Sequence, residues 1–269
     1  MENVKTASGS ELNNDLINKV LESTENKPEQ IEVTSPSDTL VTLPGGYITA
    51  TGEVIKTAEV RELNGKDEEY IGKSGSIARA FNVVLNRAVV KVGDLPVDEK
   101  LMDSLLSGDR DSLMLGIFKA TFGAEAEIVA YCGGCEDFKT VAVDVDRDIN
   151  YKVLVDSVED RTFTVHGKAK TYLVTLPTGV VQKELANSQD KTQAELTTTL
   201  LEYCILEIDD KPVIGKAQVQ NIGLVDRRKI SSEISSRIPG PQLSDIEVDC
   251  PECNGKVVVP FNLGALFQF

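Results

Sequence analysis

The chain has 269 residues, a hydrophobic share of 41% and a formal net charge of −15. This length allows one large domain or two small ones, and no apolar run approaches the ~20 residues that a membrane span needs. The acidic balance argues against nucleic-acid binding, which needs clustered Lys and Arg. The single histidine, His166, argues against an acid–base enzyme pocket. The first residues lack the pattern of a signal peptide, so the protein is expected in the cytoplasm.

Residues 1–37 are predicted to form a flexible N-terminal segment, because they are polar and rich in Glu, Asn, Ser, Thr and Pro. Within this segment, Ser10 is a candidate N-cap for a short amphipathic helix. The apolar residues of that helix fall on one face: Leu12, Leu16, Ile17, Val20 and Leu21. Such a helix would either dock on the body of the protein or bind a partner.

Residues 38–145 are predicted to form the first of two related repeats. Alternating apolar residues indicate a β-hairpin that contains the motif Leu-Pro-Gly-Gly at 43–46. Apolar residues at helical spacing then indicate a small helical bundle, whose last helix stops at Gly123. Two strands follow, and the turn between them carries Cys132 and Cys135.

Residues 146–171 are predicted to form a connecting β-hairpin, with strands that begin near Tyr151 and Arg161. Residues 172–269 are predicted to form the second repeat. It contains Leu-Pro-Thr-Gly at 176–179, a helical stretch, and a late turn with Cys-Pro-Glu-Cys at 250–253.

One helix of each repeat supports an internal duplication. Six of its positions match between the repeats at one constant offset, in the order Asp109, Arg110, Leu113, Ile117, Thr121 and Gly123 against Asp226, Arg227, Ile230, Ile234, Ile238 and Gly240. Asp109 and Asp226 are predicted to be helix N-caps, and each following arginine is predicted to pair with acids across the interface between the repeats. The predicted fold is therefore α+β, a tandem duplication of a β-hairpin, a small helical bundle and a zinc-ribbon-like CxxC strand pair.

The paired cysteines are the candidate metal ligands: Cys132, Cys135, Cys250 and Cys253. Two CxxC turns have the spacing of structural zinc sites, in which each turn supplies two thiolates. More than a hundred residues separate the pairs, which is natural if the two repeats face each other and share one four-thiolate zinc. A fifth cysteine, Cys204, falls in the apolar row of a helix and is predicted to be core.

Three other interpretations of the CxxC pairs stay open. A redox pair would need a helix N-terminus to lower the thiol pKa, whereas strands follow both pairs. Structural disulfides are disfavoured in a reducing cytoplasm, although particles that leave the cell can acquire them. The turns can also be diverged knuckles without a metal.

Four motifs carry a resemblance to a known family: Leu-Pro-x-Gly, Val-Arg-Glu-Leu at 60–63, the Asp-Arg helix and the late Cys-Pro-x-Cys. On these motifs the chain resembles the baseplate hub and tail-assembly proteins of T4-type and other contractile-tailed bacteriophages. The resemblance covers residues 38–143 and 172–266. It implies a non-enzymatic role in virion assembly, as a hub subunit or a hub assembly factor, and it carries over no catalytic residue.

The expected partners are accordingly other phage tail and baseplate proteins, with no nucleic acid, membrane span or small-molecule substrate. The expected location is the host cytoplasm during assembly, with the virion tail as a further site. An alternative function is a zinc-ribbon adaptor of a cellular or host-directed regulatory complex, which a basic groove on the folded surface would favour. An enzyme would require a concave site with titratable groups.

Overall fold

The computed structural model describes residues 39–188 and 190–267. The helix predicted after Ser10 lies outside these residues. The strands, in chain order, are β1 (Leu40–Ile48), β2 (Val54–Val60), β3 (Val89–Val92), β4 (Leu95–Pro96), β5 (Glu125–Cys132), β6 (Asp137–Asp144), β7 (Tyr151–Lys152), β8 (Thr162–His166), β9 (Thr171–Thr175), β10 (Ile205–Ile208), β11 (Lys211–Pro212), β12 (Gly240–Pro241), β13 (Ile246–Asp249) and β14 (Lys256–Val259).

The helices alternate with these strands. In chain order they are α1 (Gly65–Gly72), α2 (Ile77–Ala88), α3 (Glu99–Ser104), α4 (Ser107–Phe122), α5 (Gly179–Ala186), α6 (Gln193–Cys204), α7 (Lys216–Gln220), α8 (Leu224–Arg237) and α9 (Leu263–Phe267). Side-chain caps start several of them, as Asn64 does for α1 and Thr192 does for α6, each within a capping box.

The order of the elements shows the duplication directly. One antiparallel sheet has the order β1-β2-β3-β4, and the other has the order β8-β9-β10-β11. In each half, two helices follow the second strand, two more follow the fourth strand, and a two-stranded ribbon with a CxxC turn comes last. This arrangement confirms the predicted α+β fold with a tandem duplication.

The two halves bury their equivalent helices to different extents. Helix α4 has eleven buried residues, among them Leu113 and Ile117, and lies in the main core of the protein. Its counterpart α8 has three buried residues, and it covers a smaller core around Tyr172. The first half therefore supplies most of the main core, and both ribbons pack into that core.

The two Leu-Pro-x-Gly motifs occupy different places in the fold. Residues 43–46 lie inside β1, whereas residues 176–179 join β9 to the start of α5. The Pro44 carbonyl accepts a hydrogen bond from the Leu154 amide at 3.1 Å, and the Pro177 carbonyl accepts one from the Ser107 amide at 2.9 Å. The motifs therefore match in sequence but are not equivalent positions of the duplicated unit.

The segment between the repeats also differs from the predicted hairpin. Strand β7 pairs with β12 near the end of the second half, and β8 pairs with β9 as the first strand of the second sheet. The alternation of apolar residues predicted where both strands begin, but β7 ends already at Lys152, and long-range partners determine how the strands pair. His166 lies at the end of β8, next to a tight turn, and is exposed. The domain boundaries given above stay a prediction.

Neither of the two predicted N-cap aspartates caps its helix. The N-cap residues of α4 and α8 are Leu106 and Gly223, and neither makes a side-chain capping bond. Asp109 and Asp226 instead point out of the first turn towards the first hairpin of their own half. Asp109 accepts a hydrogen bond from the Gly45 amide at 2.7 Å, and Asp226 accepts one from the Lys168 amide at 2.8 Å.

Candidate metal centre

The first cysteine pair is presented by the ribbon of β5 and β6. Residues of β5 alternate between the core and the solvent, so that Ala126, Ala130 and Cys132 face inward and are buried. Cys135 lies in the turn between β5 and β6, and the next residue, Glu136, adopts a positive φ of 54°. This left-handed residue folds the chain back into β6 directly after the second cysteine.

The second pair is presented in the same way by β13 and β14. Cys250 follows the last residue of β13, and its amide donates to the Gly255 carbonyl at 2.8 Å. Asn254, directly after Cys253, has a positive φ of 55°, a conformation that Asn tolerates well. The two turns therefore share one backbone design, with a left-handed residue after the second cysteine of each.

The structure brings all four predicted ligands together. The four sulfur atoms lie within 4.8 Å of one another. The Sγ atoms of Cys132 and Cys253 are 3.6 Å apart, and those of Cys135 and Cys250 are 3.8 Å apart. All four cysteines are free thiols. A metal bound to four thiolates at about 2.3 Å in a tetrahedron requires sulfur separations of about 3.8 Å. The four thiols are therefore close enough to hold a metal ion.

Neighbouring groups change the acidity of the thiols in opposite directions. The amides of Cys253 and Glu252 donate to Cys250 and lower the pKa of its thiol to about 7. The Cys253 thiol interacts with Cys135 and, together with burial, raises the pKa of Cys135 to about 12. The thiols thus form one hydrogen-bonded cluster with uneven acidity, and binding a metal to all four would release their remaining protons.

A lysine connects the two ribbons beside the thiols. The Lys139 ammonium on β6 lies 3.2 Å from the Asp137 carboxylate and 2.9 Å from the carboxylate of Glu252, which stands between the two cysteines of the second turn. Both carboxylates raise the pKa of Lys139. Sequence reasoning missed this ion pair, because only the folded arrangement places β6 next to the second turn.

The fifth cysteine is separate from this cluster. Cys204 ends helix α6 and is fully buried in the smaller core of the second half. Burial raises the pKa of its thiol to about 12. The location agrees with the prediction that this cysteine is part of the core.

The two predicted arginines do not pair with acids in the described residues. The Arg110 guanidinium donates to Gln182 of the second half at 2.6 Å and to the Met102 carbonyl at 2.9 Å. Arg227 donates to the Val219 carbonyl and to the Thr198 hydroxyl, both in its own half. Neutral acceptors therefore satisfy both side chains, and only Arg110 crosses between the halves.

Comparisons with known proteins add an identification to this geometry. None of the helices in residues 39–188 and 190–267 is both long enough and apolar enough to cross a membrane. Neither the curated proteins nor the solved structures gave a significant match. A family model described as T4 bacteriophage base plate protein matches residues 56–268, which include both ribbons and all four clustered cysteines. The chain therefore belongs to the T4 bacteriophage base plate protein family.

Proposed function

We propose that this protein is a non-enzymatic structural or assembly component of a phage tail baseplate, acting as a hub subunit or a hub assembly factor. We propose further that one zinc ion joins its two halves through Cys132, Cys135, Cys250 and Cys253. Its partners would be other tail and baseplate proteins, which it would meet in the host cytoplasm during assembly. If the protein is a hub subunit, it would stay with these partners in the virion tail. Membership of the base plate family supports the role.

The observation that carries the zinc proposal is that the four clustered thiols come from both halves of the protein. Each half contributes one turn, and the paired contacts run between halves, from Cys132 to Cys253 and from Cys135 to Cys250. Four thiolates fill the coordination sphere of a structural zinc and leave no position for a reactive water. The ion would therefore serve to hold the ribbons together.

The donor set favours zinc over other common metals. Hard cations such as magnesium and calcium prefer oxygen ligands, whereas thiolates select softer metals, and a tetrahedral set of four is typical of zinc. Binding the ion would also remove the repulsion between thiolates that lie this close together. The Lys139–Glu252 ion pair supports the same junction from the outside.

Metal analysis of the purified protein tests this proposal. We expect one zinc per chain, and we expect its loss when Cys132→Ser and Cys250→Ser are combined, since each half then retains one thiol. Cys204→Ser is the matched control, because Cys204 lies in a different core. A protein purified without metal, or with two zinc ions per chain, would contradict the shared site.

The assembly role has its own test. Deleting the coding region from the phage genome should leave particles without complete tails, and supplying the protein in trans should restore them. Purified tails analysed by mass spectrometry distinguish a hub subunit, which stays in the particle, from an assembly factor, which does not. Complete and infectious tails in the absence of the protein would contradict the proposal.

A further inference from the structure

The outer face of the β5–β6 ribbon carries an unusual group of exposed apolar side chains. Phe138 is 67% exposed, Val129 is 65% exposed and Tyr131 is 53% exposed. The rings of Tyr131 and Phe138 pack edge to face with centroids 5.6 Å apart. They form a cross-strand pair in the ladder, so the ribbon itself fixes their positions.

The register defines the whole of this face. Its cross-strand pairs are Tyr131 with Phe138, Val129 with Thr140, Glu127 with Ala142 and Glu125 with Asp144. The face is apolar at the end beside the cysteines and acidic at the other end, and it contains neither lysine nor arginine. We refer to these eight residues as the ribbon face.

The duplicated ribbon shows that these aromatic residues are not required by the architecture. In β13–β14, the cross-strand pair at the position equivalent to Tyr131 and Phe138 is Asp249 with Lys256. These two residues form a solvent-exposed ion pair at 2.6 Å. At equivalent positions, the second ribbon thus exposes a charged pair, which water solvates well, whereas the first ribbon exposes two aromatic rings.

Exposed aromatic residues held on a rigid element are typical anchors of protein interfaces. Tyr and Phe bury large areas at a low cost in side-chain entropy, and the buried centres of protein interfaces are enriched in both residues. The inner face of the ribbon packs in the main core through Ala130 and Val141, and the candidate metal centre lies at its tip. The rings of Tyr131 and Phe138 are therefore held in position before a partner binds.

The charge of the face selects the kind of partner. Glu125 and Glu127 lie on the same face as the rings, and the protein as a whole carries a net charge of −15. A second copy of this chain would bring like charges together. A partner with an apolar pocket bordered by lysine or arginine would instead match both ends of the face.

We propose that the ribbon face is the docking surface for a different protein, one that presents an apolar pocket bordered by basic side chains. This inference rests on the proposed function, in which the partner is another tail or baseplate protein. The aromatic pair supplies the contact that holds the complex, and the glutamates orient the partner and increase the rate of association.

The test uses the purified full-length chain and the tail and baseplate proteins encoded by the same genome, each purified singly as a probe. Tyr131→Ser combined with Phe138→Ser should weaken the binding of one probe at least about tenfold, the loss expected for an interface hot spot. Asp249→Ser combined with Lys256→Ser at the equivalent pair is the matched control, and it should bind like the unaltered chain. Raising NaCl from about 50 mM to about 500 mM should also weaken binding through screening of the acidic end.

Several results would overturn the inference. Equal binding by both double variants would place the interface elsewhere, while leaving the baseplate role intact. Self-association of the unaltered chain in sedimentation experiments, lost in the aromatic variant, would make a second copy the occupant. Absence of binding to every probe would count against both the docking surface and the baseplate role. Unchanged melting temperature and metal content of the aromatic variant show that a loss of binding is not a loss of folding.

Discussion

Arg110 and Arg227 make the same two hydrogen bonds in the two halves of the protein. Arg110 donates to the Met102 carbonyl of α3 at 2.9 Å and to the Asn82 side chain of α2 at 2.5 Å. Arg227 donates to the Val219 carbonyl of α7 at 3.1 Å and to the Thr198 hydroxyl of α6 at 2.8 Å. Arg110 therefore joins α4 to α2 and α3, and Arg227 joins α8 to α6 and α7. The duplication preserved the contact while the acceptor changed from an amide to a hydroxyl.

This relationship predicts unequal costs for two matched substitutions. Arg110 is 3% exposed and also contacts Gln182, whereas Arg227 is half-buried. Arg110→Ala should lower the free energy of unfolding by about 3 kcal/mol, because it leaves the buried Met102 carbonyl and two partly buried side-chain acceptors without their donor. Arg227→Ala should cost about 1 kcal/mol, because water replaces its bonds. Urea denaturation of both variants measures the difference, and equal costs would contradict it.

The start of α4 provides a second prediction. A Cβ atom added at Gly108 would lie 1.5 Å from the Pro239 carbonyl oxygen, and a backbone atom cannot move aside as a flexible side chain can. Gly108→Ala should therefore destabilise the protein by more than about 3 kcal/mol, although Ala is the better helix former. Gly65→Ala at the start of α1 is the control, since no atom lies within 4 Å of the added Cβ. Thermal unfolding of both variants would reveal the contrast, and similar melting temperatures would refute it.

Local sequence was sufficient to predict much of this structure. The two CxxC turns, the helix stop at Gly123 and the match of the Asp-Arg helices follow from spacing and turn chemistry, which act within a few residues. The expected fold class and the recognised family are both confirmed. The grouping of the four cysteines also agrees with the arrangement expected from the duplication.

What the sequence did not reveal depends on distant contacts. The two Leu-Pro-x-Gly motifs look alike, but the first lies within β1, at the point where the pairing with β2 shifts its register between Thr42 and Tyr47. The second lies in contact with the start of α4 and comes directly before a helix. The first-turn aspartates looked like N-caps, but their partners are amides in distant hairpins. The exposure of Tyr131 and Phe138 becomes visible only when the register of the ribbon is known.

Asp109 provides a prediction about pH. Burial raises the pKa of its carboxyl to about 6, although the Gly45 and Gly46 amides and the charge of Arg161 oppose the shift. The unfolded carboxyl titrates near pH 4. Between these values the folded protein binds more protons than the unfolded chain, so this contribution to stability is complete below about pH 4 and is lost as the pH rises through about 6.

Replacing Asp109 with Asn should remove that dependence. The amide oxygen of Asn can still accept from the Gly45 amide, and no charge remains to be buried. The stability of the variant relative to the unaltered chain should therefore increase by about 2–3 kcal/mol between pH 4 and pH 7. Urea denaturation of both proteins at several pH values measures the difference, in which the titration of groups distant from Asp109 cancels. A difference that does not change with pH would disprove the role of Asp109.

Removal of the metal should loosen the two ribbons before the rest of the fold. β5–β6 and β13–β14 are separate two-stranded sheets, and an isolated ribbon of two strands is only marginally stable. If one zinc joins their tips, chelation leaves the ribbons with their core contacts and the Lys139–Glu252 ion pair, whose carboxylate is exposed and whose contribution is therefore small. The amides of both ribbons should then exchange hydrogen faster, while those of β2 and β9, which lie inside four-stranded sheets, should change little.

Hydrogen exchange followed by mass spectrometry, with and without a strong chelator, makes this measurement. The combined Cys132→Ser and Cys250→Ser variant should show the fast exchange without chelator, and Cys204→Ser should respond to chelator like the unaltered chain. Faster exchange in only one ribbon would show that the metal does not connect the halves. Protection that is unaffected by the chelator would mean that packing alone holds the ribbons, and that the four thiols have no structural metal between them.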